Sequence, residues 1–332
     1  MIKTIAPISG WILDYIVALD AALPGFAGAY LRASVERRQV IACYLATPGL
    51  NALEGEEASA ATAQFLMRAQ HRDILAKAFH TVPQGLRGAL ARSGPQPHKP
   101  RFYGLLQEML SSPSHDRVIP TIRHYYRLDL TCLRVIRQLP AEVCNPVIVK
   151  ALDNIGPAAD LAKIIALFAE GGLDRAAMTA AFDRVKSDDA LRKTVQRWAL
   201  KTILPPHPIP ASEDYHPITS SARLGETGRR FRNCMAQYIP GALDGVDAFA
   251  LFKPQSSKRG MIVHLQRRDD VWHIEGLFGP QNTRPDPELH GAGSAYLAEH
   301  GVSKRPREQT PTGPWAALGR FTSPYLFGDY GL

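Results

Sequence analysis

The densest group of chemically capable side chains lies between residues 224 and 238 and contains a single cysteine, Cys234. A cysteine nucleophile must be a thiolate, which requires a histidine or a cationic environment nearby. His264 and His273 lie on neighbouring predicted strands and could supply the imidazole, with Glu275 close to the second of them. The pattern therefore allows catalysis by Cys234, His264, His273 and Glu275. However, Cys234 also lies on the apolar stripe of a predicted helix, a position more typical of a packed cysteine.

The same segment is a candidate anion site. Two glycines, Gly225 and Gly228, precede a basic run, and the spacing predicts a helix over 228–239. Backbone N–H groups and the helix dipole favour an anion at a helix start. The alternative for the glycines is a simple turn followed by solvated arginines. The alternative for Asn282 is that it only shapes the turn in which it lies. The predicted ligand-contacting set comprises Gly228, Arg229, Arg230, Asn233, Tyr238 and Asn282.

A second basic segment runs through residues 117–137, where arginines alternate with His124, Tyr125 and Tyr126. Cations interleaved with aromatic rings are typical of nucleic-acid-binding surfaces. Leucines at helical spacing show that part of the segment is core, so an amphipathic helix with a solvated basic face is the alternative. The predicted nucleic-acid contacts are Arg117, Arg123, Arg127, Arg134 and Arg137.

The charge distribution also points to the N-terminal part of the chain. Residues 1–204 carry 25 Lys and Arg against 18 Asp and Glu, whereas residues 205–332 carry 14 against 13. A basic surface attracts phosphate-rich partners, so nucleic acid is an expected partner of the N-terminal region, with a protein partner as an alternative.

Motif content limits the chemistry further. Walker A, GxGxxG and HExxH motifs are absent from the sequence, so we expect neither a cofactor nor a metal ion. The four cysteines form no CxxC pair, which predicts a reduced, cytoplasmic protein. Apolar runs are too short to span a bilayer, so no membrane association is expected.

These residues must be positioned by a mixed, α+β chain. Residues 1–204 read as successive helices, in a bundle or in stacked helical hairpins, with a possible sub-boundary at 93–100. Five prolines in 205–217 predict an extended linker. Residues 218–332 read as a small α+β module with an antiparallel sheet and an aromatic tail. Its predicted elements are strands over 249–253, 261–267 and 271–277, a hairpin turn over 267–270 and a helix over 287–300.

The order of motifs in this module resembles the C-terminal region of PcfJ-like proteins, a family associated with plasmids and other mobile elements. The shared order is a glycine with a basic stretch, Asn233-Cys234-x-x-x-Tyr238, Gly245, three strands, and Gly279-x-x-Asn282. The resemblance covers residues 220–290. Asn233 stands where the family usually has histidine, and Glu275 where it often has glutamine. The resemblance implies a mobile-element setting with nucleic acid as a partner.

Three functional hypotheses follow. The first is a non-catalytic protein that binds nucleic acid or a protein partner. The second is a cysteine-dependent enzyme that acts on a phosphate-containing or nucleic-acid substrate around Cys234. The third is a structural adaptor built from the helices.

Overall fold

The structure is a computed structural model that describes residues 8–49, 55–112, 116, 118–304 and 313–322. The chain divides into two compact units, residues 1–155 and residues 156–332. The α+β class is confirmed, since one small sheet accompanies many helices. No helix in the described ranges is both long and apolar enough to cross a membrane.

Unit 1 is helical throughout its described part. Its helices are α1 (Trp11–Ala22), α2 (Phe26–Arg32), α3 (Val35–Leu45), α4 (Glu56–Arg68), α5 (His71–Ala78), α6 (Leu86–Ala91), α7 (Pro100–Ser111), α8 (Ile119–His124), α9 (Leu130–Gln138) and α10 (Pro146–Ala151). Prolines occupy the first turn of α7, α8 and α10, where a missing N–H costs nothing.

Helix α3 forms the centre of unit 1, because every residue from Gln39 to Leu45 is buried and the helix packs against α5 and α6. The buried Gln39 amide is fully used. Its Nε2 donates to the carbonyls of Gly94 and Gln96, each at 2.7 Å, and the Tyr103 hydroxyl donates to its Oε1 at 2.7 Å. The predicted sub-boundary at 93–100 therefore lies inside unit 1, bonded to its central helix.

Unit 2 contains the sheet. Its elements are α11 (Ile155–Glu170), α12 (Arg175–Asp183), α13 (Asp188–Ala199), β1 (Tyr215–Pro217), α14 (Ser221–Phe231), α15 (Ile239–Leu243), β2 (Asp247–Phe252), β3 (Met261–Arg268), β4 (Val271–Phe278), α16 (Pro287–Glu299), β5 (Ser303–Lys304) and α17 (Ala316–Thr322). The strand order is β1-β2-β3-β4-β5; the first four are antiparallel, and β5 pairs parallel to β4.

The predicted strands and hairpin are confirmed to within two residues. Asp269 and Asp270 form the turn between β3 and β4, both with positive φ (47° and 61°), as a tight two-residue hairpin turn requires. Side chains alternate along β3, so Met261, Val263 and Leu265 enter the core that α16 covers, while His264 and Gln266 face the other way.

The observed division of the chain differs from the predicted one at 205–217. The helices α11–α13 belong to unit 2, because the C-terminal helix α17 packs on α13 and ion-pairs with α11 through Arg320 and Asp160. The proline-rich segment is anchored to unit 2 by two buried side chains, while more than half of its residues are exposed. Ile209 is 2 % exposed, and Tyr215 is fully buried in β1, stacked on Tyr296 of α16 at 5.2 Å.

The aromatic tail lies only partly within the described residues. Trp315 packs near Phe168 of α11, at 5.7 Å between ring centroids, and Phe321 is buried in α17. These two residues therefore dock on their own unit, as large aromatic side chains commonly do. Tyr325, Phe327 and Tyr330 lie outside the described residues.

Candidate functional site

The basic segment after Gly225 ends a helix instead of starting one. Helix α14 spans Ser221–Phe231 and stops at Arg232, which adopts a left-handed conformation (φ 51°, ψ 52°). Arg229 and Arg230 therefore occupy the last turn, where the helix dipole favours cations. The predicted helix over 228–239 was wrong, so Gly228, Arg229 and Arg230 do not lie at a helix N-terminus, where the anion was predicted to bind.

Gly228 has a packing role inside α14. A Cβ at this position would lie 3.3 Å from Cβ of Met235 and 3.4 Å from Oδ1 of Asn233, so the following turn can approach the helix closely. Asn233 holds that turn, since its N–H donates to the Gly228 carbonyl at 3.0 Å and its Oδ1 accepts from the Met235 N–H at 3.3 Å. Asn233 and Gly228 thus shape the chain that carries Cys234 and Tyr238.

Cys234 lies on the surface of this turn. It is the one exposed cysteine of the four, all of which fall in the described ranges. Burial raises the pKa of each of the other three thiols, Cys43, Cys132 and Cys144, to about 12. Among the described residues no hydrogen bond joins Cys234 to His264 or His273, so the predicted cysteine–histidine pair is not formed by hydrogen bonding.

His264 belongs instead to a buried pair with Asp247. Its Nε2 lies 2.8 Å from Asp247 Oδ1, and the two side chains are only 2 % and 7 % exposed. Gln266 Nε2 donates to the same carboxylate oxygen at 3.3 Å. The pairing register places these residues together, because Asp247 on β2 lies opposite Gln266 on β3, on the sheet face that His264 also shares.

Aromatic rings enclose the histidine. Phe249 stacks on the His264 ring at 4.3 Å with an interplanar angle of 15°, and Tyr238 meets it edge-on at 4.7 Å. Tyr238 is 38 % exposed and therefore separates the buried pair from solvent. The site thus has a partly exposed tyrosine above a buried acid–base pair.

The polar network continues along β3 to Glu275. Arg268 donates through Nε to Gln266 Oε1 at 2.9 Å and lies 3.7 Å from the Glu275 carboxylate. Glu275 occupies a β-bulge, since Leu265 pairs with Ile274 and His264 pairs with Gly276. His273, opposite Gln266, keeps both ring nitrogens buried without a hydrogen-bond partner among the described residues.

Sequence reasoning missed Asp247, Gln266 and Arg268. The available signal was the polar alternation His264, Gln266, Arg268 within an otherwise apolar strand, which predicts a polar sheet face. The partner on β2 could not be identified without the strand register. The bonds described above assign His264 and Glu275 to this network.

The turn over Pro280–Asn282 packs against α14, so Asn282 does lie close to the helix that carries Arg229 and Arg230. Gln281 and Asn282 both adopt left-handed backbone conformations, at φ 55° and 57°. Asparagine tolerates this region better than most residues, which accounts for a turn-shaping role.

In unit 1 the apolar spacing over 118–138 predicts a single helix, but the structure has two, α8 and α9. Tyr125 leaves the first helix, and Asp129 caps the second by accepting from the Cys132 N–H at 2.8 Å. Arg117 lies outside the described residues. Arg123 has a structural contact, since it donates to the backbone and side-chain oxygens of Gln84 at 3.2 and 3.1 Å.

The remaining arginines of this segment are available for a partner. Arg127 and Arg137 are exposed and Arg134 is half-buried, and none of them forms an ion pair within the described part of the chain. Tyr126 is 67 % exposed and lies between Tyr125, at 5.1 Å, and the Lys150 ammonium, at 5.9 Å from the ring centroid. We refer to Tyr126, Arg127, Arg134, Arg137 and Lys150 as the Tyr126 surface.

Comparison of the chain with protein-family models, with curated proteins and with solved structures finds no match.

Proposed function

We propose that this protein binds nucleic acid, without catalysis, through the Tyr126 surface of unit 1. The observation that carries the proposal is the exposed Tyr126 ring beside the Lys150 ammonium, which has no ion-pair partner among the described residues. A large aromatic side chain normally loses solvent contact on folding, so its exposure beside a cation favours a partner that offers both phosphates and flat rings.

The charges of unit 1 support the same partner. Residues 1–155 carry 17 Lys and Arg against 12 Asp and Glu, a balance of +5. Lys and Arg bind phosphates with release of condensed counterions, which makes the affinity fall steeply as salt rises. The proposal also includes the mobile-element setting that the resemblance of residues 220–290 to PcfJ-like proteins implies.

The test is a titration of the full chain with a fluorescent single-stranded oligonucleotide and with a duplex, across a salt series. Tyr126→Ala should weaken single-strand binding roughly 5- to 150-fold, the equivalent of about 1–3 kcal/mol for one stacked base. Tyr126→Phe keeps the ring and should bind like the unchanged protein.

The arginines are tested by the slope of the salt dependence. Arg127→Ala combined with Arg137→Ala should reduce the slope of log K against log salt by about 1.4 for a single strand, if each arginine contacts one phosphate. The matched control removes two exposed arginines of α4 and α5, Arg68 and Arg72, and should leave the slope unchanged. Equal effects of both pairs would show that binding depends on the overall charge of the protein and not on the Tyr126 surface. Absence of binding at low salt would contradict nucleic-acid binding and leave the structural adaptor as the hypothesis.

The cysteine-dependent enzyme remains a second candidate because Cys234 is exposed and follows a run of arginines. Within the described ranges no histidine is hydrogen-bonded to Cys234, and His264 is bonded to Asp247 instead. An enzyme of this kind predicts that iodoacetamide reacts with Cys234 faster than with a small-molecule thiol. A rate equal to that of glutathione would remove this candidate.

A further inference from the structure

Unit 2 contains a cleft between two loops that the proposed nucleic-acid surface does not include. One wall is the loop joining β2 to β3, residues 253–260, and the other is the segment 279–286 that leads into α16. The cleft has a volume of about 600 Å³, within the range of roughly 300–1,000 Å³ in which small-molecule sites fall.

The walls of this cleft carry three cations. Lys258 and Arg259 come from the first loop and Arg284 from the second. All three side chains are exposed, and none forms an ion pair within the described ranges. Like charges placed around one concave space repel each other, so an anion that enters the cleft is attracted by all three.

The lining of the cleft also has an apolar part. It consists of proline side chains and of two residues of α16, one of which, Leu289, is buried. The apolar lining residues are Pro254, Pro280, Pro285, Leu289 and Ala292. Cations together with apolar lining residues suit a ligand with a charged group attached to a flat or apolar body.

The loops are held in place by their own hydrogen bonds. The Ser257 hydroxyl donates to the Arg259 carbonyl at 2.8 Å, and the Thr283 hydroxyl donates to the Pro280 carbonyl at 2.7 Å. At the base of the second wall, the Gly279 N–H donates to the Thr283 carbonyl at 2.8 Å. A preformed cleft loses less conformational entropy when a ligand binds.

We propose that this cleft binds a small phosphate-bearing molecule of the nucleoside polyphosphate class, with the phosphates between Lys258, Arg259 and Arg284 and the base against the proline and α16 side chains of the lining. Two acidic residues, Asp286 and Glu288, also line the cleft. Asp286 is engaged as the cap of α16, because its Oδ1 accepts from the Glu288 N–H at 3.0 Å. The Glu288 carboxylate repels the phosphates, so its removal should strengthen binding.

The experiment titrates the full chain with ATP by calorimetry, in magnesium-free buffer at low salt. Lys258→Ala with Arg284→Ala removes one cation from each wall and should weaken ATP binding at least tenfold, because charge-assisted hydrogen bonds are lost. The control pair, Arg184→Ala with Lys186→Ala, removes the same charge from exposed positions outside the cleft and should leave the affinity unchanged.

Three further arms decide the chemical class. Glu288→Gln should tighten ATP binding several-fold, inorganic triphosphate should bind more weakly than ATP, and adenosine should not bind measurably. The proposal is overturned if ATP fails to bind at millimolar concentration, if the control pair weakens it equally, or if Glu288→Gln weakens it. Binding of an oligonucleotide that depends on Lys258 and Arg284, without ATP binding, would also overturn it and assign the cleft to a strand.

Discussion

The buried pair of Asp247 and His264 supports a sharp prediction about stability. Asp247→Ala removes an oxygen that accepts from His264 Nε2 at 2.8 Å and from Gln266 Nε2 at 3.3 Å. All three side chains are at most 7 % exposed, so water cannot replace the lost acceptor. An unsatisfied buried donor costs about 1–3 kcal/mol. Two donors lose their acceptor here, so we expect Asp247→Ala to lower the free energy of unfolding by about 2–6 kcal/mol.

The measurement is urea unfolding, with native-state hydrogen exchange to localise the effect. Because the chain has two compact units, the exchange of β2 and β3 amides reads the loss within unit 2 directly. Asp247→Asn keeps an acceptor oxygen at nearly the same volume and should cost less than the alanine variant. A double-mutant cycle of Asp247→Ala with His264→Ala should give a coupling energy of about 1–3 kcal/mol.

A surface ion pair provides the control. Lys193 and Asp189 are 3.0 Å apart on α13, with side chains 63 % and 58 % exposed. Lys193→Ala should change the free energy of unfolding by no more than about 0.5 kcal/mol. If Asp247→Ala costs as little as this control, the buried network does not stabilise unit 2 and the reasoning fails.

Three further predictions concern accessibility, pH and backbone packing. A maleimide should label one cysteine in the native protein at pH 7 and four after denaturation, and Cys234→Ser should abolish the native label. Burial lowers the pKa of His207 below 6.5. Between this lowered pKa and pH 6.5 the unfolded chain binds more protons than the folded chain, so the free energy of unfolding should fall as the pH drops through that range. His207→Gln should flatten the dependence of the urea midpoint on pH. Gly241→Ala should cost about 1–3 kcal/mol, because its Cβ would overlap the Asp247 carboxylate. Gly291→Ala, in open space on α16, should be neutral or stabilise by up to about 1 kcal/mol in the same unfolding assay.

Local patterns were sufficient for the hairpin and for several helix starts. Alternating β-branched and aromatic residues predicted β3 and β4, and the charged Arg267–Asp270 segment predicted the turn that joins them. Asp and Ser are residue types that favour the N-cap position. Asp174 and Ser187 occupy it, because their side chains accept from N–H groups in the first turns of α12 and α13. These features depend on residues within a few positions of one another, so the sequence contains the whole signal.

The two glycines of residues 221–238 favoured a wrong prediction, a helix that begins at Gly228. Two glycines before a basic run are compatible with a helix start, whereas here both lie inside α14. The close approach of Met235 and Asn233 to Gly228 decides the matter, because a larger residue at that position would exclude the turn. This contact is tertiary. Because of it, Arg229 and Arg230 lie in the last turn of α14 and not in the first turn of the predicted helix.

The sequence by itself determined the helical character of unit 1, the β3–β4 hairpin, α16 and the basic, aromatic character of the segment around Tyr126. Only the tertiary structure decided which polar residues meet. Asp247 and His264 are 17 positions apart and belong to different strands, and a shift of one residue in register would point one of them into the opposite face. The same holds for the unit boundary, since α17 packs on helices more than 120 residues earlier in the chain. Long-range packing selects among local patterns that are individually ambiguous, which is why the buried pair and the boundary at residue 155 emerged only from the folded chain.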